Sequence, residues 1–313
     1  MQFVQRLLSD AGLNNNAPID YSVACISTTR PIYLVFGDSS DYPDYVIRKM
    51  IDKHDFHTHQ VHNNLYQLVG NQVPKIVGVY EHAGEKYDVQ FGVKGAPWFQ
   101  IKSKIRTKDA RARLERRLWK TLTDFHSAVA ADPNTIAAGS VLKTKKLQPH
   151  EELQQAYMQF KNTEPTVNTE LDKLVYFAAK ELSKMPACSQ IPQHGDFCLN
   201  NLIIDTSHVT VIDFEDFAIT TMPMYDHFTL ALSLPSCSQE PSIAINVLKE
   251  AQVATAAENL GINSNAIRWH FLHHILLRLG PWSTGKKRAV YRNWLKQLLG
   301  CFIEAQLHTN YSP

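Results

Sequence analysis

The chain has 313 residues, 44% hydrophobic and 20% charged, with a formal net charge of +2. That is the make-up of an ordinary folded protein able to bury a large core and to divide into two lobes, and its charge is too near neutral to imply nucleic-acid binding. Five scattered cysteines with no C-x-x-C pair argue for reduced thiols in a cytoplasmic setting, and no run approaches the ~18 apolar residues of a membrane span.

The N-terminal MQFVQRLLSDAGLNNN is a short amphipathic stretch without the continuous apolar centre of a targeting signal. The first ninety residues then read as strand-rich. Tyr21–Ser27 and Ile32–Phe36 flank the turn-like Thr28-Thr29-Arg30-Pro31, and Tyr45–Lys49 follows Gly37-Asp38-Ser39-Ser40. Period-two geometry puts Val46 and Arg48 on one face of the third strand, with Ile47 and Lys49 on the other. Histidines at 54, 57, 59 and 62 invite a metal reading, but no cysteine or carboxylate set completes a tetrahedral site. Tyr87–Pro97 runs from an extended stretch into a glycine-containing turn.

The remainder is helical in pattern. Leu114, Leu118, Leu122, Phe125 and Val129 form one apolar stripe that ends before Pro133. Residues 131–150 read as an exposed connection, and a second stripe, Leu171, Leu174, Val175, Ala178 and Leu182, stops at Pro186. The basic clusters Arg111–Arg117 and Lys286–Arg288 read as solvated helix faces. Residues 264–305 form further helices carrying Trp269, His273, His274, Arg278 and Trp282.

The segment QHGDFCLNNLIIDTSHVTVIDFED, Gln193–Asp216, carries the chemistry. A short loop holds His194, Asp196 and Asn201. Two apolar runs, Leu202–Ile204 and Val209–Ile212, flank the turn-like Asp205-Thr206-Ser207-His208 and read as a hairpin leading to Asp213. Such a hairpin brings two carboxylates and an amide together. Hard oxygen ligands, few in number and leaving positions open, suit magnesium and a polyphosphate.

H-G-D-x4-N, an apolar hairpin and I-D-F-E together resemble the catalytic core of the aminoglycoside phosphotransferase and choline kinase group, relatives of the protein kinases. The resemblance implies a two-lobed kinase-like α+β fold: a nucleotide-binding sheet lobe over residues 1–90, a hinge over 91–98, and a helical catalytic and acceptor-binding lobe over 99–313. It implies that Asp196 accepts the proton of a substrate hydroxyl, and that Asn201 and Asp213 hold magnesium against the phosphates of ATP. His194 braces the loop, and Asp226, in Met224-Tyr225-Asp226, opens a helix and supports the loop as well. In the sheet lobe, Arg48 on the third strand reaches the phosphates, with Lys49 as the alternative, and Val46 lines the adenine site. Gln90, Phe91 and Val93 offer backbone groups to the adenine edge. Ser27 and Thr28 stand where the family places a phosphate-approaching turn.

Three departures accompany the resemblance. The Ser27–Pro31 turn lacks glycines, the stretch His54–Leu68 lacks the glutamate that pairs with the basic strand residue, and Phe91 replaces the usual hinge acid. The leading expectation is an ATP- and magnesium-dependent kinase acting on a small molecule's hydroxyl. A catalytically silent relative that binds nucleotide or a partner is the alternative, and a hydrolase with metal on His194, Asp196 and Asp213 is a third. Arg278, Lys286, Lys287 and Arg288, with few acids between, disfavour a polycationic acceptor.

Overall fold

A computed structural model describes residues 2–13, 21–27, 30–37, 40–131, 148–164, 169–185 and 191–310, the side chains of 308–310 excepted. The chain forms two compact units, Met1–Lys143 with Leu199–Phe217, and Thr144–Cys198 with Ala218–Pro313. The stretch 91–98 lies inside the first of them.

The first unit is built on an antiparallel sheet. Its strands are β1 (Ser22–Cys25), β2 (Ile32–Phe36), β3 (Tyr45–Met50), β4 (Ile76–His82) and β5 (Glu85–Phe91), in spatial order β1-β2-β3-β5-β4. Alternation along β3 divides the sheet into two faces. Ile47 faces helix α1 (Gln2–Asp10), whose Val4, Leu7 and Leu8 close a core with Val35, Tyr87 and Val89. The amphipathic N-terminal stretch therefore caps one sheet face. The opposite face carries Arg48 and its cross-strand neighbour Asp88.

Helix α2 (Lys53–Val69) starts at Asp52, whose side chain accepts from the backbone of His54 and Asp55, and Asp55 reaches back in a full capping box. A smaller sheet, in order β6-β7-β8, joins β6 (Ala96–Pro97) to the expected hairpin, β7 (Leu202–Ile204) and β8 (Val209–Val211). A short helix α3 (Trp98–Ile101) follows β6. The long helix α4 (Lys108–Ala131) buries the expected stripe of Leu114, Leu118, Leu122, Phe125 and Val129. Arg117, expected on a solvated face, instead donates to the carbonyls of Thr206 at 2.5 Å and Asp205 at 2.7 Å and so fixes the hairpin turn.

The second unit is helical: α5 (Pro149–Thr163), α6 (Thr169–Ser183), α7 (Tyr225–Ser233), α8 (Pro241–Ala244), α9 (Ala251–Asn259), α10 (Ser264–Leu279) and α11 (Ala289–Asn310). Pro149 sits at the first position of α5, where its missing N–H costs nothing. The stripe Leu171, Leu174, Val175, Ala178 and Leu182 is buried on α6. Helix α10 is buried on all sides from Trp269 to Leu279, and with the apolar residues it buries His270, His273, His274 and Arg278.

Candidate active site

The H-G-D loop belongs to the second unit and is held from two directions. Gln193 exchanges backbone hydrogen bonds with the 218–220 segment, donating to the Thr220 carbonyl at 3.1 Å and accepting from the Ala218 N–H at 2.7 Å. Its side-chain oxygen accepts the Asp226 N–H at 3.2 Å. Asp226 opens α7, is fully buried, and its carboxylate accepts the backbone N–H groups of His194 at 2.6 Å and Gly195 at 3.0 Å. The glycine has a physical reason: Gly195 sits at φ +86, where a side chain would be strained. His194 is buried, packs edge-on against Phe197, and its Nδ1 accepts the Asp196 N–H at 3.2 Å. That bond turns its ring toward its own loop, unlike the metal ligand of the hydrolase reading.

Asp196 keeps 23% of its side chain exposed, and its Oδ1 accepts a hydrogen bond from Arg278 Nη2 at 2.6 Å. Behind the 218–222 stretch lies a second buried carboxylate. Glu152 on α5 accepts from Thr220 Oγ1 at 2.6 Å, Thr221 Oγ1 at 2.8 Å and the Thr221 N–H at 2.9 Å. Burial pushes this carboxyl up; the His273 imidazole 3.6 Å away and the threonine hydrogen bonds outweigh it and hold it at about 2.

In the first unit, Asn201 and Asp213 flank the base of the hairpin. Leu202 pairs with Val211, and the Ile212 N–H donates to the Asn201 carbonyl at 3.0 Å. Asp213 follows at φ +68, a left-handed conformation that aspartate tolerates better than most residues, and it is exposed while Phe214 is buried against His62. An amide oxygen and a carboxylate carried at the two ends of one hairpin are, by their chemistry, a donor set that fits magnesium. Among the described residues no group of three or more His, Cys, Asp or Glu could hold a metal by itself.

Arg48 and Lys49 fall on opposite sheet faces. Lys49 pairs with Glu85 at 3.1 Å on the α1 side. Arg48, on the α2 side, donates to Asp88 at 3.3 Å, and His59 of α2 meets the other oxygen of Asp88 at 2.9 Å. The helix does lack a glutamate. A buried aspartate on β5 supplies the carboxylate in its place and ties strand to helix through His59. His62 points instead to the Pro74 carbonyl at 2.8 Å, and burial lowers it to about 4. His59 and His62 thus turn to different partners.

At the β1–β2 turn, Ser27 Oγ accepts the Arg30 N–H at 3.3 Å, while Thr28 lies outside the described residues. The Arg30 guanidinium pairs with Asp52 and Asp55 at 3.0 Å and with Glu215 at 3.6 Å. Val46 pairs with Gln90 across β3 and β5. The Phe91 N–H donates to Lys75 and the Gly92 N–H to Asp44. A Cβ on Gly92 would meet the Pro43 carbonyl at 1.5 Å, so this close approach requires glycine. Past these two engaged groups, Val93 is the next backbone donor of the stretch.

Sequence reasoning missed Asp88, His59 and Arg30 as members of these clusters. An aspartate inside the apolar run Tyr87-Asp88-Val89 was the one signal available, because a charge on a central strand calls for a partner.

The profile of the phosphotransferase enzyme family matches residues 40–258, more than half of the chain. The chain belongs to that family. Solved structures agree in fold. A protein of Ralstonia eutropha JMP134, assigned provisionally to the aminoglycoside phosphotransferases, superposes at TM-score 0.64 with 14% identity over 97% of both chains. A macrolide 2'-phosphotransferase of Brachybacterium faecium gives 0.61 at 14%, over 96% of this chain and 98% of its own. A choline kinase of Streptococcus pneumoniae gives 0.53 at 15%, over 97% and 100%. No curated protein matches the sequence. The phosphotransferase therefore has the kinase-like fold of this group, and among its described residues no helix is long and apolar enough to cross a membrane.

Proposed function

We propose that this phosphotransferase is an ATP- and magnesium-dependent kinase that acts on a hydroxyl of a small molecule. The observation that carries the reading is the pair of hard oxygen donors, Asn201 and Asp213, fixed at the hairpin base by the Ile212–Asn201 hydrogen bond in a chain of this family. Asp213, in its left-handed conformation, and Asn201 hold magnesium, which when bound neutralises charge on the nucleotide phosphates. Asp196 orients the acceptor hydroxyl and takes its proton as the oxygen attacks the γ-phosphorus and the bond to ADP breaks. Asp226 and His194 keep the loop in shape for that step. Arg48, anchored by Asp88, contacts the phosphates. Val46 lines the base site, with backbone groups of Gln90, Phe91 and Val93 at its edge and Ser27 and Thr28 at the phosphate turn.

The test is magnesium-dependent ATP consumption against a panel of alcohols, sugars, amino alcohols and hydroxy acids, with the phosphorylated product identified by mass. Transfer to a hydroxyl with stoichiometric ADP supports the reading. Nucleotide binding without turnover on any acceptor, water included, contradicts it.

A further inference from the structure

Arg278 is buried to 1% exposure on α10, yet only part of its guanidinium is satisfied. Nη2 reaches Asp196 Oδ1 at 2.6 Å and Thr229 Oγ1 at 3.5 Å, while Nε and Nη1 have no hydrogen-bond partner among the described residues. Its face lies 4.1 Å from the Trp282 ring centre and 5.5 Å from that of Tyr225. Arg288, exposed as its cluster reads from sequence, covers Trp282 at 3.8 Å. Burial alone would push the Arg278 pKa down; Tyr225 and Asp196 hold it above its ordinary value. A buried, half-satisfied cation is a poor way to stabilise a core, since an apolar side chain of similar volume would fill the space without stranded donors. What this cation contributes is a fixed contact with Asp196.

We propose that Arg278 is the positioning residue for Asp196 and that it sets the charge class of the acceptor. The inference rests on the base role given to Asp196 above. Anchoring Oδ1 fixes the orientation of the carboxylate, and with it the oxygen that meets the hydroxyl. The same contact counters the negative charge that a cationic acceptor would otherwise find, and Arg288 adds a second cation beside Trp282. The acceptor is an uncharged or anionic alcohol, such as a sugar, a polyol or a hydroxy acid, and not a polyamine or quaternary amine.

A double-mutant cycle with an acceptor panel tests both parts. The variants are Arg278→Met, Asp196→Asn and their combination, each checked by thermal melt, with MgATP turnover followed to water, ribose, glycerate, kanamycin and choline. Arg278→Met should lower kcat by about 30-fold or more with KM for MgATP within about threefold, and should change the residual rate of Asp196→Asn by less than about threefold. The kcat/KM for ribose or glycerate should exceed that for kanamycin and choline by at least about tenfold. Should Arg278→Met fail to fold, Arg278→Lys carries the cycle, since it keeps the charge and loses the rigid fork, with an expected loss of about tenfold.

Retained turnover in the Arg278 variant overturns the inference, as does an equal loss in the Asp196→Asn background, which would mark a merely structural role. Preference for kanamycin or choline overturns it too. A parent without turnover to any acceptor or to water removes the kinase reading and this inference together, whereas a parent whose turnover ignores Arg278 removes the inference alone.

Discussion

Asp226→Asn is the most informative single change to the loop. The carboxylate accepts two buried backbone N–H groups, at 2.6 Å from His194 and 3.0 Å from Gly195, and carries no exposed surface. Hydrogen bonds to a charged group contribute about 1.5–3 kcal/mol each, and stranding a buried N–H costs a similar amount. Asparagine keeps one oxygen for one of the two donors and turns an NH2 toward the other. The net loss should therefore be about 2–3 kcal/mol, which for a unit of this size lowers Tm by roughly 5–10 °C. Relaxing the loop also releases Asp196, and a misplacement of about 1 Å at the base is enough to cost about 10²-fold in turnover. Differential scanning calorimetry and MgATP turnover on the same preparation measure both. A Tm within about a degree of the parent, with turnover within about twofold, would refute the claim that Asp226 holds the loop.

Asp196→Asn should lower turnover by roughly 10²–10⁴ with little change in ATP affinity, read by steady-state kinetics and nucleotide titration; activity within a few-fold of the parent removes the base role. Arg48→Ala should raise the KM for ATP and slow transfer, whereas Lys49→Ala, paired with Glu85 on the α1 face, should do little, and the reverse ranking would reject the strand-face argument. Acid should destabilise the fold in a defined window. His62 is held neutral by burial to about 4, so below its ordinary 6.5 the unfolded chain takes up a proton that the folded chain refuses, at a cost of roughly 3 kcal/mol by pH 4. His270, lowered by burial to about 3, acts in the same direction. Glu152 adds a later loss: its contribution is whole above about 4.5 and fades as pH falls toward about 2. Urea melts from pH 7 to pH 4 should show stability falling, and His62→Gln should flatten that slope; equal slopes in parent and variant would contradict it.

The parts of this architecture legible in the sequence were those set by local chemistry. The hairpin 202–211 showed because β-branched runs flank turn residues, and the helices showed because their leucine stripes keep a 3.6-residue period. What stayed hidden depends on register and long-range packing. Arg48 and Asp88 are 40 residues apart and meet only because β3 pairs with β5. Arg278 lies 82 residues from Asp196, and its helix is apolar enough that a buried arginine reads like any surface one. The glycine-free β1–β2 turn looked like a defect in the family pattern. Its Arg30 is anchored at the cap of α2 and to Glu215, two residues past Asp213, a tie that no short motif encodes. The basic run Lys286–Arg288 is exposed as expected, whereas Arg117 of the other run is half-buried because the hairpin carbonyls take up its guanidinium, a partner that lies 88 residues away in sequence.

The central claim is that Asn201 and Asp213 hold magnesium against a nucleoside triphosphate, and calorimetric titration of ATP into the parent and Asp213→Ala, with magnesium and with chelator, tests it most directly. The account predicts tight binding only for the parent with magnesium, a loss of about tenfold or more in Asp213→Ala, and a smaller loss in Asn201→Ala. ATP binding that ignores magnesium, or that Asp213→Ala leaves unaltered, would contradict it.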